Sequence, residues 1–383
     1  MRDAVIVEAV RTPVGRRNGG LSGVHPVDLS ALVLQGLIER TGIEPAIVDD
    51  VIWGCVSQVG EQAFNVGRNA VLAAGWPESV PGTSVDRQCG SSQQAIHFAA
   101  ATIISGQADL IVAGGVEVMS RVPMGSSVGQ GGGLPFGPKV MERYDNWVFN
   151  QGIGAEMIAQ RWGLSRIQLD EFSLASHERA AAAADSGAFD AQIIPVPTSE
   201  GLVTHDEGIR RGGTIEKMAS LRSAFTEDGV ITAGNSSQIS DGSAAVIVTT
   251  ADKAAELGLT PLVRIHTATV VGDDPKIMLT APIPATAKVL ARSGLLVEEI
   301  GAFEVNEAFA PVPLAWLAET GADAKLMNPL GGAIALGHPL GGSGARLTTT
   351  LVHHMRDNGI RYGLQTMCEG GGMANATIYE RVA

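Results

Sequence analysis

The chain of 383 residues is poor in cysteine, with three, and poor in aromatics, at 4%. An odd, sparse set of cysteines excludes a disulfide scaffold and fits a reducing compartment. Basic residues are also scarce. The 27 Lys and Arg stand against 40 Asp and Glu, a formal charge of −13. That balance argues against nucleic acid or an anionic membrane surface as a partner. No apolar run reaches the ~18 residues of a transmembrane helix. The first residues, Met1 to Val7, read as a buried strand and leave no room for a signal or transit peptide. Glu380-Arg381-Val382-Ala383 carries no retention or peroxisomal tripeptide. The expectation is an acidic cytoplasmic protein with no membrane partner.

Glycine, in contrast, is abundant. There are 48, against a usual share of ~7%. They follow no collagen period, so they mark tight turns and close backbone approaches. Hydrophobic residues at 45% exclude wholesale disorder.

Short apolar runs alternate with helical patterns, which predicts an α/β layered fold. Leu29, Leu32, Val33 and Leu37 line one helical face, closed by Gly42. Val51 to Val56 reads as a strand, Ile96 to Ile103 as a helix stopped by Ser105-Gly106, and Leu110 to Gly115 as a strand ending in a glycine turn. The last third repeats this order. Ile300 to Val305 is a strand, Leu347 to Met355 a helix ending near Gly359, and Tyr362 to Met367 a strand running into Gly370. The order suggests two similar halves. Between them, Ser120 to Ser237 reads as a long irregular insertion that covers or shapes a site. It contains a glycine cluster at Gly129, Gly131, Gly132 and Gly133 and an Ala-rich helix at Ala180 to Ala184.

Four residues could carry chemistry. Cys89 precedes a helix, where the dipole and free N–H groups lower a thiol pKa. His338, between Gly337 and Pro339, occupies the corresponding place in the second half. Cys368 ends a strand and opens onto Gly370-Gly371-Gly372, whose N–H groups are free for a ligand. Asn306 ends another strand, where open α/β sheets place their sites. Each also has an ordinary structural reading, as a core cysteine, a core histidine or a helix cap. Cys55, in an apolar strand, reads as core. Metal spacing is missing: the cysteines are far apart and His353-His354 point to different faces. No dinucleotide, P-loop or serine-hydrolase motif is present.

Taken together, the motifs resemble the thiolase family almost end to end. They are Val10-Arg11-Thr12-Pro13, Cys89-Gly90-Ser91, Gly114-Gly115-Val116-Glu117-Val118-Met119-Ser120, Thr232-Ala233-Gly234-Asn235-Ser236-Ser237, Asn306-Glu307-Ala308-Phe309, Gly337-His338-Pro339 and Cys368-Glu369-Gly370-Gly371-Gly372. The resemblance implies two α/β halves in αβαβα layers with a loop domain. The boundaries are 1–119 for the first half, with about 238–260 returning to it, 120–237 for the loop domain and 261–383 for the second half.

The resemblance also implies the activity: thiolytic cleavage of a 3-ketoacyl-CoA, or the reverse Claisen condensation. Cys89 is the nucleophile, His338 its activator and Cys368 the acid and base at C2. One oxyanion hole uses His338 and a water on Asn306. The other uses the N–H groups of Cys89 and Gly370. No permanently bound cofactor or metal is implied; coenzyme A and acyl-CoA are substrates, and the family suggests homodimers or homotetramers. Arg210, Lys217, Ser237, Met278 and Phe309 are expected to contact them. Arg210, Arg211, Lys217 and Arg222 against Glu216 make a local net charge of +3 that suits CoA phosphates. Lys217 and Asn150-Gln151-Gly152 depart from the small polar residue and the His-Met-Gly expected of acetoacetyl-CoA thiolases. The loop from Ser120 to Asn150 departs as well. These differences favour a degradative enzyme for a longer or bulkier acyl chain. Its rivals are a biosynthetic acetoacetyl-CoA thiolase, a 3-ketoacyl synthase and a non-catalytic thiolase-like lipid carrier. Synthases lack the second cysteine, and the carrier reading is disfavoured because all four residues are present.

Overall fold

A computed structural model describes residues 2–128 and 133–382. Gly129, Gly131 and Gly132 of the glycine cluster lie outside the described residues. The strands are β1 (Val5–Arg11), β2 (Gly15–Arg16), β3 (Asp50–Gly54), β4 (Thr83–Val85), β5 (Leu110–Val118), β6 (Val196–Thr198), β7 (Gly201–Val203), β8 (Ser240–Thr249), β9 (Val263–Gly272), β10 (Ala302–Val305), β11 (Tyr362–Glu369) and β12 (Met373–Arg381).

The pairing repeats. In the first half the order is β1-β8-β5-β3, and in the second it is β9-β12-β11-β10. Each half pairs its first strand antiparallel to its last, the last antiparallel to the next, and that one parallel to the outermost. β4 extends the first half at its edge. The halves meet where Val5 and Ile6 pair with Arg264 and Val263, so the hydrogen-bonded path is continuous. Helices Ser91–Ser105 and Leu340–Asp357 lie packed together between the halves. Helix Pro26–Thr41 covers the outer face of the first sheet and Pro282–Ser293 that of the second. This is the αβαβα arrangement.

Local signals explain the elements. Pro26 opens its helix, His25 Nδ1 accepts the Val27 N–H, and Gly42 closes it at φ 67°. Every residue of β8 is buried, as a strand covered on both faces must be.

Glycines where the central strands and helices meet have a packing reason. A Cβ on Gly54 would overlap the backbone of Ser91 and Ser92, and one on Gly344 would stand 2.9 Å from the Gln93 Cα. The two central helices thus pack at backbone contact, against β3 and against each other. This corrects the expectation for Gly114 and Gly115. They do not end their strand; β5 continues to Val118.

Two other boundaries move. β1 runs from Val5 to Arg11 rather than starting at the terminus, and Cys55 lies just past β3, fully buried. The insertion is also more regular than its composition suggests. It holds helices Gln151–Arg161 and Arg166–Asp185, the second opened by a Ser165–Gln168 capping box.

The insertion is tied to β1 by a buried ion pair. Arg11 Nη1 and Nη2 donate to Asp206 Oδ1 and Oδ2 at 2.7 and 2.9 Å, and its Nε donates to Gln192 Oε1 at 2.9 Å. No helix among the described residues is long and apolar enough to cross a membrane.

Candidate active site

Cys89 sits on a tight turn between β4 and helix Ser91–Ser105. Gln88 takes a left-handed φ of 48°, and its N–H donates to Asp86 Oδ1 at 2.7 Å. Ser91 Oγ closes the turn, accepting the Arg87 N–H at 2.9 Å and donating to the Gln88 carbonyl at 2.5 Å. A non-glycine residue held at positive φ beside a candidate nucleophile is strain placed at a functional position. The thiol packs with Met119, Leu340 and Met367. The helix N-terminus does not lower its pKa, as the sequence alone suggests. Burial pushes it up to about 12, and the Glu369 carboxylate adds to the rise. The N–H groups of Cys89 itself and of Gly370 pull partly the other way.

His338 is fixed from several sides. Its backbone N–H reaches the Gln238 carbonyl and Ser240 Oγ, both at 3.2 Å. Its Nδ1 lies 2.6 Å from Ser343 Oγ, which itself donates to the Pro339 carbonyl at 2.9 Å. Ser343 has one proton; assigned to the Pro339 carbonyl, it puts the imidazole proton on Nδ1 and leaves Nε2 a lone pair toward Asn306 Nδ2. Asn306 Nδ2 approaches that Nε2 at 3.4 Å. Burial, then the Arg346 cation, lowers the His338 pKa to about 3, so the resting ring is neutral.

Cys368 lies near the end of β11, fully buried. Burial comes first in raising its pKa, and the charge of Cys89 second. Its side chain packs in a cluster with Met278 and Phe309. Asn306, one residue past β10, anchors its N–H to the Thr366 carbonyl at 3.1 Å, and its Oδ1 has no hydrogen-bond partner among the described residues. Glu307 holds the loop beneath, accepting from Ser176 Oγ at 2.7 Å and Asn328 Nδ2 at 2.9 Å. Ser237 donates its N–H to the Ala308 carbonyl at 2.9 Å, beside Phe309. Cys89, Cys368, His338, Asn306, Gly370, Met278, Phe309 and Ser237 thus belong to one contiguous region.

Arg210 and Lys217 are exposed and make none of these contacts. The Arg210 N–H donates to His177 Nδ1 at 3.1 Å, and Lys217 Nζ lies 3.5 Å from the Gly212 carbonyl. The basic patch is weaker than its sequence count, because Arg211 is paired with Asp185 at 2.7 Å. The described residues contain no group of three or more His, Cys, Asp or Glu placed to hold a metal ion.

Sequence reasoning missed three participants. Ser343 fixes the histidine tautomer. Glu117 accepts from the N–H groups of Val56, Ser57 and Gly341 at 3.0, 3.0 and 2.8 Å, binding the loop after β3 to the helix that follows His338. Glu369 is buried next to Cys368. Acidic residues inside wholly buried strands were the available signal for the last two.

The comparisons agree with this architecture. Residues 4–252 match the family model described as Thiolase, N-terminal domain, and residues 259–381 match Thiolase, C-terminal domain. The chain belongs to the thiolase family, a family of acyltransferases. A steroid 3-ketoacyl-CoA thiolase of Mycobacterium tuberculosis is 51% identical over 388 residues, covering 100% of this chain and 95% of that protein. A 3-ketoacyl-CoA thiolase of Pseudoalteromonas translucida is 45% identical over 394 residues, with 100% of both chains covered. One of Escherichia coli is 45% identical over 393 residues, again with 100% of both covered.

Proposed function

We propose that this thiolase cleaves 3-ketoacyl-CoA with free CoA, giving acetyl-CoA and a shortened acyl-CoA, through an acyl-Cys89 intermediate. The observation that carries this reading is the pair of buried cysteines, Cys89 and Cys368, in the region where His338 Nδ1 lies 2.6 Å from Ser343 Oγ and its Nε2 3.4 Å from Asn306 Nδ2. The Cys89 proton passes to His338 Nε2 as the sulfur attacks the 3-keto carbon. A thiol pushed up to about 12 and an imidazole lowered to about 3 do not rest as an ion pair, so deprotonation accompanies attack.

The C2–C3 bond then breaks, and the acetyl-CoA enolate takes the Cys368 proton. The Cys368 thiolate deprotonates the incoming CoA thiol, CoA sulfur displaces the acyl group, and Cys89 recovers its proton from His338. The N–H groups of Cys89 and Gly370 face the acyl oxyanion, and His338 with a water on Asn306 faces the thioester oxygen. Removing one such donor costs ~10²–10³ in rate.

The acyl group runs past Phe309 and Phe225, whose rings are 5.8 Å apart, toward Phe136, Tyr144 and Phe149. Exposed Leu134, Phe136 and Val148 in that segment support a long or bulky acyl chain, and so does the likeness to a steroid thiolase. Arg210 and Lys217 reach CoA phosphates at the rim, and the chain works as a homodimer or homotetramer in the cytoplasm. A thiolysis panel tests the substrate reading. Faster turnover of long-chain or sterol-side-chain 3-ketoacyl-CoA than of acetoacetyl-CoA is expected; preference for the four-carbon substrate rejects it.

A further inference from the structure

Glu369 is a buried carboxyl with no role in the chemistry above. Its side chain is fully buried, and neither oxygen has a hydrogen-bond partner among the described residues. It lies under the nucleophile turn: a Cβ on Gly90 would overlap Glu369 Oε1 and stand 2.8 Å from Asn375 Nδ2. That amide donates to the Gly90 carbonyl at 3.1 Å, and Asn375 Oδ1 is a third acceptor without a partner among the described residues. A carboxylate offers nothing to such an acceptor, whereas a protonated carboxyl offers a donor. Burial keeps the group in that form, raising its pKa to about 8. Arg87 opposes the rise and Asp86 adds to it.

The charged and titratable neighbours are few. Arg87 and Asp86 face Glu369 from the turn, and Arg87 Nε is also unpartnered. Cys89 and Cys368 feel its charge. His97 faces Arg87, and Glu117 faces Cys89. Burial lowers the pKa of His97 to about 3, so it adds no charge near neutral pH.

We infer that Glu369 is a positioning residue that sets the ionisation of Cys89: neutral, it lets the thiol release its proton, and charged, it holds the proton on. Three buried oxygens without a protein partner among the described residues, Glu369 Oε1 and Oε2 and Asn375 Oδ1, thus lie against the nucleophile turn, where a charge on the carboxyl would act on the thiol at short range. Glu369 would act through the field at the sulfur without touching substrate. The inference rests on Cys89 being the nucleophile, but its test reads the thiol directly and needs no turnover.

The experiment is the pH dependence of Cys89 alkylation by iodoacetamide, followed by mass spectrometry of the Cys89 peptide. In Glu369→Gln the rate at pH 8.5 rises about three- to ten-fold, and the profile shifts toward lower pH. Superimposable profiles overturn the inference. Arg87→Met, at a half-buried site, gives an independent reading. Without that cation Glu369 stays neutral to higher pH, so alkylation at pH 8.5 quickens. Slower alkylation in Arg87→Met means that the guanidinium acts on the sulfur directly, and it too overturns the inference.

Discussion

Ser343 Oγ stands 2.6 Å from His338 Nδ1 and donates to the Pro339 carbonyl at 2.9 Å. One hydroxyl thereby decides which imidazole nitrogen meets the reacting groups. Ser343→Ala frees the ring to take either tautomer and either flip. The expected outcome is a fall in kcat of ~10–100-fold with KM little changed, and recovery in Ser343→Thr. An unchanged kcat means that something other than Ser343 fixes the ring.

Cys368→Ala removes the proposed acid and base at C2 without touching the nucleophile. Thiolysis of 3-ketoacyl-CoA and condensation should both fall by at least ~10²-fold. Transfer of an acyl group from acyl-CoA to Cys89 should persist at a reduced rate, because that step makes no carbon–carbon bond although Cys368 exchanges the CoA thiol proton in it. Equal loss of both steps argues that Cys368 shapes the pocket rather than moving the proton.

Arg11 and Asp206 form a bidentate pair that is fully buried on one side and nearly so on the other. Arg11→Met strands the Asp206 charge and should cost about 3–5 kcal/mol in urea unfolding. Adding Asp206→Leu should recover much of that. If the double variant is as weak as the single, packing of Arg11 over Phe189, 5.0 Å away, carries the stability.

Stability should fall as pH rises from 6.5 to 8.5. Burial raises the pKa of Glu304 and of Glu369 to about 8 each, so the folded state holds protons that the unfolded chain has released. Their contribution is fully present below the ordinary carboxyl range and is lost as pH rises through about 8. Burial instead lowers His338 and His97 to about 3 each. Their contribution grows as pH rises through the ordinary imidazole pKa of 6.5 and is nearly complete a unit above it, so it offsets only the first part of the fall. A lower Tm at pH 8.5 than at pH 6.5 is expected. A flat or rising Tm would show that these carboxyls are already ionised in the folded protein.

Much of this was legible in the sequence, for identifiable reasons. Gly42 and Gly106 close their helices at φ 67° and 79°, so those ends followed from composition alone. Cys89, His338 and Cys368 stood out because glycine surrounds each. Gly114 and Gly115 misled, because a glycine forced by neighbouring strands, as at Gly114, or by neighbouring helices, as at Gly115, looks the same in sequence as one forced by a turn. The acidity of Cys89 misled for a related reason. The helix end is local and visible, whereas the burial and the Glu369 charge that outweigh it come from across the fold. Ser343 was hidden because its partner is chosen by how the chain turns after Pro339.

The acyl-Cys89 intermediate is the centre of this account. Brief incubation with a 3-ketoacyl-CoA in the absence of free CoA, followed by peptide mass spectrometry, observes it directly. The account predicts the shortened acyl group on the Cys89 peptide, its release on adding CoA, and its loss in Cys89→Ala. Turnover that persists in Cys89→Ala, or an acyl group found on Cys368 instead, would contradict it.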